Sequence, residues 1–471
     1  MTHRLRHSVL PLAVSLVLAA CAITHVDPPA PAPAPAQYKE AGAWQQAAQG
    51  DAAKVPDDWW TLFQDPVLND LAQRLVIGNE NLKAAVAQVA NARAVVDASR
   101  SALFPTLSVG LSGTRSGNPN STSTLNSSQG ASNTVSLSAD ASWELDLWGR
   151  LFEASSGAKA SLQASVDDLA AARLSAHATL VQTYLSLRAA EAQAALLARS
   201  VQAYQRSLEL TQARYDSGVA ARSDVLQAQT QLKSTQAQLA ETTVQRAQFE
   251  HAIAVLLGVP PSALSLARTD VLPTPPAVPV MLPATLLERR PDIAAAQRRV
   301  AAAYAQIGVA DAAYFPSLTL SASAGYRSST LSNLVSAPNL FWSIGPSLAQ
   351  AILDGGQRRL ASAQARASAD QATSTYRQSV LTALQEVEDN LVLADQLQDE
   401  AQLQQEALDA AQRNVEITLA QYRSGTVSYL NVVTAQTAAL TSESSLLSVR
   451  NRQLAAINQL LKNIAGRWEP A

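Results

Sequence analysis

Val135-Ser136-Leu137-Ser138-Ala139-Asp140-Ala141-Ser142-Trp143-Glu144-Leu145-Asp146 alternates an apolar side chain with a small or polar one. Successive side chains of a strand point to opposite faces, so this stretch has one apolar face and one hydroxyl-rich face. Just beyond it, past Leu147-Trp148-Gly149-Arg150, Leu151 to Tyr215 reads as one helical region of ~98 Å at 1.5 Å per residue. Three other stretches share the period of two. Leu107, Val109 and Leu111 alternate with Ser108, Gly110 and Ser112, before a Ser/Thr/Asn/Gly loop that runs to Asn133. Leu318, Leu320, Ala322, Ala324 and Tyr326 alternate with Thr319, Ser321, Ser323 and Gly325, and Trp342, Ile344 and Leu348 alternate with Ser343, Gly345 and Ser347.

The pattern predicts two strand hairpins with the signature of outer-membrane strands, apolar side to lipid and polar side to lumen. A soluble sandwich would use the apolar face as a core, but four strands in two distant hairpins hardly make one. Nor can four strands close in lipid, where each unpaired backbone group costs several kcal/mol. Closure requires several chains. Three would supply twelve strands, although periodicity alone does not fix the number.

The architecture occurs twice. Tyr215-Asp216-Ser217-Gly218 recurs as Tyr422-Arg423-Ser424-Gly425, and Ala228-Gln229-Thr230 as Ala435-Gln436-Thr437, at a constant offset of 207. Gly149 and Gly356 share that offset, and Phe104-Pro105 recurs as Phe315-Pro316. A repeat this long is a domain-sized unit rather than a solenoid module. In each copy a helix ends at Phe-Pro (Pro66 to about Leu103, and Pro291 to Tyr314). A hairpin follows, then a very long helix (Leu151 to Tyr215, and Arg358 to Tyr422), a Ser-Gly turn and a returning helix (about Ser223 to Leu257, and Tyr429 to Lys462). Val380, Leu384, Val387, Leu391 and Ala394 keep a 4-3-4-3 spacing, a coiled-coil seam. One long helix beside two shorter ones stacked end to end makes an even helical wall. The expected fold class is an α+β membrane protein: a duplicated β-hairpin plus long α-helical hairpin.

The expected boundaries are 1–20 for a signal peptide, 21–64 for an anchored tether, 65–258 for the first repeat, 259–283 for a Pro-rich linker, 284–464 for the second repeat and 465–471 for a tail. Arg4, Arg6 and His7 precede an apolar run from Val9 to Ala20, too short to span a bilayer but suited to a signal-peptide core. Leu18-Ala19-Ala20-Cys21 ends it and matches a bacterial lipoprotein cleavage site, which implies acylation of Cys21 and a lipid anchor. An ordinary secretory signal is the alternative. Cys21 is the only cysteine, so no disulfide is expected. Removal of residues 1–20 takes away two arginines and no acid, moving the formal charge from −3 to −5. Nothing in this balance suggests nucleic acid. The five histidines are scattered without metal-ligand spacing, and no nucleophile elbow or phosphate loop occurs. No enzyme activity and no cofactor are expected.

Trp59-Trp60-x-x-Phe63-x-Asp65-Pro66-x-Leu68, Trp143-Glu144-Leu145-Asp146-Leu147-Trp148-Gly149-Arg150 and Leu287-x-Arg289-Arg290-Pro291-Asp292-Ile293, followed by Ile307-Gly308 through Phe315-Pro316, form an ordered set over nearly the whole chain. In these motifs the chain resembles outer-membrane efflux lipoproteins of the NodT type, the exit duct of tripartite resistance-nodulation-division pumps. The resemblance implies a homotrimer with a 12-stranded transmembrane β-barrel continuous with a periplasmic α-helical barrel. It also implies a periplasmic adaptor and an inner-membrane transporter as partners, and export of small molecules such as drugs. It places the Ser-Gly turns at a periplasmic gate. There Tyr422 matches an aperture tyrosine and Asp224 the acid with which it pairs. Asn431 and Thr434 stand at two positions that carry acids in the best-known members, and Val427 at the position of a constraining arginine. Gly218, Val219, Gly425 and Thr426 are the tips expected to meet the adaptor. Two other readings remain: the exit channel of a type I protein-secretion system, and a non-transporting coiled-coil lipoprotein that braces the envelope. Asp140, Glu144 and Asp146 fall on the polar strand face, where a mild cation preference or plain solvated strand-end charge would follow.

Overall fold

The computed structural model describes residues 30, 38–39, 56–117, 131–276 and 290–464. The signal peptide, Cys21, most of the tether, part of the linker and the tail 465–471 lie outside the described residues. Within the latter, the order is α1 (Pro66–Gly78), α2 (Glu80–Ser101), β1 (Thr106–Ser116), β2 (Ser132–Leu145), α3 (Arg150–Asp216), α4 (Arg222–Leu256), α5 (Pro291–Ala312), β3 (Ser317–Ser328), β4 (Leu340–Ala349), α6 (Gln357–Arg423) and α7 (Tyr429–Ile464). The chain divides into two compact units, one built on Gln88–Ser165 and Ala295–Tyr376, the other on Ala32–Ala87, Val166–Ala294 and Arg377–Ala471.

The first unit holds the sheet. Its strands lie in the order β1-β2-β3-β4, antiparallel throughout. The register matches like with like across every ladder. Val109 faces Ala139, which faces Ala324, which faces Trp342. Ser108 faces Asp140, which faces Ser323, which faces Ser343. The apolar rows are bare: Leu107, Val109 and Trp342 are 75%, 74% and 73% exposed. A sheet in water would bury such a face, and one in hydrocarbon would not.

The turn from β2 into α3 explains the Trp143–Arg150 motif. Arg150 makes a forked ion pair with Glu144, with contacts of 2.7 and 2.8 Å. Asp146 caps α3, accepting from the N–H groups of Leu151 and Phe152 at 3.1 and 2.8 Å. Trp148 stacks on Phe315 and donates to the Pro316 carbonyl. The second copy repeats the device with Asp354, which accepts from the Gly356 and Arg358 N–H groups and pairs with the Arg358 guanidinium. Arg358 and these N–H groups hold the Asp354 carboxyl down at about 2. Helix α5 packs closely through small residues: an added Cβ on Gly308 would meet Glu153 at 2.9 Å, and one on Gly157 would meet Ala305 at 3.3 Å.

In the second unit, Trp59, Leu68, Leu71, Leu75, Leu180, Tyr184, Val387, Leu391 and Leu460 form one core. The predicted seam residues Val380, Val387, Leu391 and Ala394 are all buried. Asp65 caps α1 as its sequence suggests and accepts a bond from the Tyr184 hydroxyl. Arg290 explains its motif: it pairs with Asp292, reaches Glu386 at 2.9 Å and donates to Asn463 at 3.2 Å. The linker has little regular structure, yet it is pinned. Leu264 and Leu266 enter the core, and Arg246 donates to the Leu266 carbonyl while Glu250 accepts from its N–H. Glu191 is bonded to Arg188, Arg246 and the Thr269 N–H.

One expectation is corrected. The single helix predicted from Pro66 to about Leu103 is broken at Asn79. The backbone at Gly78 crosses that at Gly258 so closely that an added Cβ on Gly78 would lie 2.0 Å from the Leu257 carbonyl oxygen. Asn79 closes α1 through its N–H, caps α2 by accepting from Leu82 N–H at 3.0 Å, and donates its amide to the Leu256 carbonyl at 2.7 Å.

Candidate functional site

The Ser-Gly turns at the ends of α3 and α6 are the same structure built twice. Gly218 and Gly425 take positive φ (74° and 80°), which closes each helix without a Cβ clash. Val219 N–H donates to Arg214 O at 2.8 Å and Thr426 N–H to Gln421 O at 3.0 Å. Gly218 and Gly425 donate to Tyr215 O and Tyr422 O. These paired bonds are the Schellman closure of a helix C-terminus. Gly218, Val219, Gly425 and Thr426 are all exposed at the tips.

Between the turns the copies differ. Tyr215 is 38% exposed, whereas its counterpart Tyr422 is 3% exposed. Tyr422 packs edge-on against Tyr429 at 5.4 Å, in a cluster with Ala228 and Val432 against which Val427 packs. The Arg214 guanidinium lies 4.8 Å from the centre of the Tyr422 ring. It also donates to the last carbonyls of α6, those of Tyr422 at 2.9 Å and Arg423 at 3.1 Å. One cation thus satisfies two helix-end carbonyls, stacks on an aromatic face and joins the first copy to the second. Nearby, Gln436 donates to Ser207 and its carbonyl accepts from Tyr204.

The resemblance implies a bond between Tyr422 and Asp224. Within the chain it is not formed: the Tyr422 hydroxyl is buried with no hydrogen-bond partner. Arg214 and Tyr429 hold the ring inward. Asp224 instead sits in the first turn of α4, behind the cap residue Ala221, where its charge acts on Tyr429. Burial raises the Tyr429 hydroxyl to about 12, and repulsion from ionised Tyr422 and Tyr204 and from Asp224 adds to the shift. Asn431 and Thr434 are exposed on α7, and the Thr434 hydroxyl is occupied by the Leu430 carbonyl. Arg214 and Tyr429 are site residues that sequence reasoning missed. A comparison of the copies carries a signal for the first, because Gln421 stands where the repeat would place an arginine. Among the described residues, no group of His, Cys, Asp and Glu could hold a metal ion.

A sheet with a bare apolar face and two open edges, feeding long helical hairpins with built tips, defines a channel-forming protein of the outer-membrane type. The chain belongs to the outer membrane efflux protein family, whose model matches residues 71–259 and 282–466. The toluene efflux pump outer membrane protein TtgF of Pseudomonas putida is 31% identical over 466 residues, covering 98% of this chain and 97% of its own. The pyoverdine export outer membrane protein OpmQ of Pseudomonas aeruginosa is 30% identical over 466 residues, covering 97% and 96%. The solved outer-membrane channel OprN superposes with a TM-score of 0.87 at 30% identity, covering 95% of this chain and 100% of that structure. The chain is therefore an outer-membrane efflux channel.

Proposed function

We propose that three copies close into a 12-stranded barrel in the outer membrane with a periplasmic helical barrel below it, a passive duct for small molecules that does no chemistry of its own. The observation that carries this reading is the sheet: among the described residues it has four strands, a bare apolar face, and unpaired edges on β1 and β4. One copy cannot sit in hydrocarbon with those edges open. The partners are a periplasmic adaptor, met at Gly218, Val219, Gly425 and Thr426, and an inner-membrane transporter of the resistance-nodulation-division type. The relatives named for toluene and pyoverdine export support small-molecule cargo. Cys21 carries the lipid anchor, and a Cys21→Ser chain should lose palmitate labelling.

The gate in this reading is the tip cluster, with Tyr422 and Asp224 on its working side and Asn431 and Thr434 on the exposed face of α7. A buried hydroxyl without a partner costs about 1–3 kcal/mol, so Tyr422 stands in an incompletely satisfied site that a small helix movement can relieve. With neutral Asn431 and Thr434, divalent-cation block should be weak. The test is planar-bilayer conductance. Tyr422→Ala combined with Asp224→Ala removes the ring that Arg214 and Tyr429 hold and should raise the resting conductance, and an unchanged value counts against this gate.

A further inference from the structure

The polar face of the sheet carries few charges, and most of them are engaged towards the strand ends. Glu144 is held by Arg150 in a forked pair. Asp146, just past the strand, is spent on the α3 cap. Arg327 keeps its positive charge on this face but lies over the Phe341 ring at 4.8 Å, towards the far end of β3 and in register with Ser136 rather than with the Asp140 row. Arg115 lies on the opposite row, in register with Asn133 near the strand ends. Asp140 remains. It is exposed, it lies in the interior of β2, and no cation pairs with it among the described residues. Its carboxylate accepts from Ser323 at 2.6 Å and Ser138 at 2.8 Å, which fixes the charge over the sheet. The row it occupies, Ser108–Asp140–Ser323–Ser343, crosses all four strands with hydroxyls on either side of it. Asp140 cannot be on the lipid side, because Leu137, Ala139 and Ala141 occupy the other face and a carboxylate in hydrocarbon is costly.

We infer that Asp140 is a cation-selectivity residue of the barrel, placed as a belt of three carboxylates when three copies close. This rests on the closure proposed above. Twelve strands spaced about 4.8 Å apart and tilted about 40° give a backbone radius of about 12 Å, and side chains narrow the lumen further. The screening length is about 10 Å at 0.1 M salt and about 3 Å at 1 M. The belt therefore spans the lumen electrostatically at low salt and loses its reach at high salt. Its ligands are hydrated small cations attracted by charge, and no coordination site is implied.

The test is the cation-over-anion permeability ratio, read from reversal potentials in KCl gradients near about 0.1 M and near about 1 M. It is measured with the native gate and in the Tyr422→Ala/Asp224→Ala background, where the barrel contributes more of the resistance. The native belt should favour K⁺ at low salt and less so at high salt. Asp140→Asn keeps an acceptor for both serines and should bring the ratio towards one, and Asp140→Lys should invert it. Ratios unchanged by both substitutions, with normal conductance and assembly, overturn the belt and leave the duct standing. Failure of chains that retain Asp140 to pass any current in either background overturns the duct and the belt with it.

Discussion

Arg214 has Gln421 as its counterpart in the second copy, and that difference organises the tips. Its guanidinium makes two bonds to main-chain carbonyls and a ring contact, which a lysine cannot reproduce from a single ammonium. Arg214→Ala should destabilise the end of α6 by about 1.5–3 kcal/mol, the worth of bonds made by a charged donor. Faster hydrogen exchange around residues 418–426 would report it, and Arg214→Lys should recover only part of the protection. Tyr429 gives a pH prediction. Its folded value of about 12 lies above the ordinary 10.0, so the folded chain keeps a proton that the unfolded chain gives up. That contribution to stability is present below about pH 10 and is lost as pH rises through about 12. In a tyrosinate absorbance titration, Tyr429→Phe should remove one late-titrating phenol and flatten the fall in stability over that window. Of the two, only Arg214 leaves a trace beforehand, in the missing arginine at Gln421. The acceptors of Arg214 are backbone carbonyls, which leave no mark in a sequence, and Tyr429 acquires its role from burial.

At the scale of elements, the crossing of Gly78 and Gly258 sets where α1 stops. Gly78→Ala would drive a methyl into the Leu257 carbonyl and should lower stability by about 1–3 kcal/mol or more, since the obstacle is backbone and cannot rotate away. Gly110→Ala is the control, because nothing lies within 4 Å of its added Cβ. Thermal unfolding of the purified chains separates the two. The break at Asn79 was hidden for the same reason. Leu68 to Leu103 has no proline, and what interrupts the helix is a backbone some 180 residues away in sequence. The strands and the long helices were legible because alternation and uninterrupted helix-forming sequence are local signals. The turns between them were legible as motifs, but only the structure explains Asp146 as a cap and Glu144 as the partner of Arg150.

For the whole molecule, the open edges of β1 and β4 invite a direct test of closure. The native chain has one cysteine, at position 21, so introduced pairs are easily read. Cysteines at Leu107, Val109 or Leu111, each combined with one at Ile344, present thiols on the same apolar side of the two edges. Mild oxidation should give at least one pairing whose ladder on a denaturing gel stops at three chains. A ladder that continues beyond three, or an entirely monomeric product at every pairing, is incompatible with a closed trimer.

The bond from Arg214 to the end of α6 also sets how many things can move. Two hairpin tips per chain would give a threefold assembly six separate leaves. Because one guanidinium yokes the tips of each chain, the leaves become three. If the proposed gate lies at these tips, the mouth would open as a three-bladed shutter, and single-channel records should show partial openings in thirds. Cutting the yoke with Arg214→Ala should split those steps into finer ones.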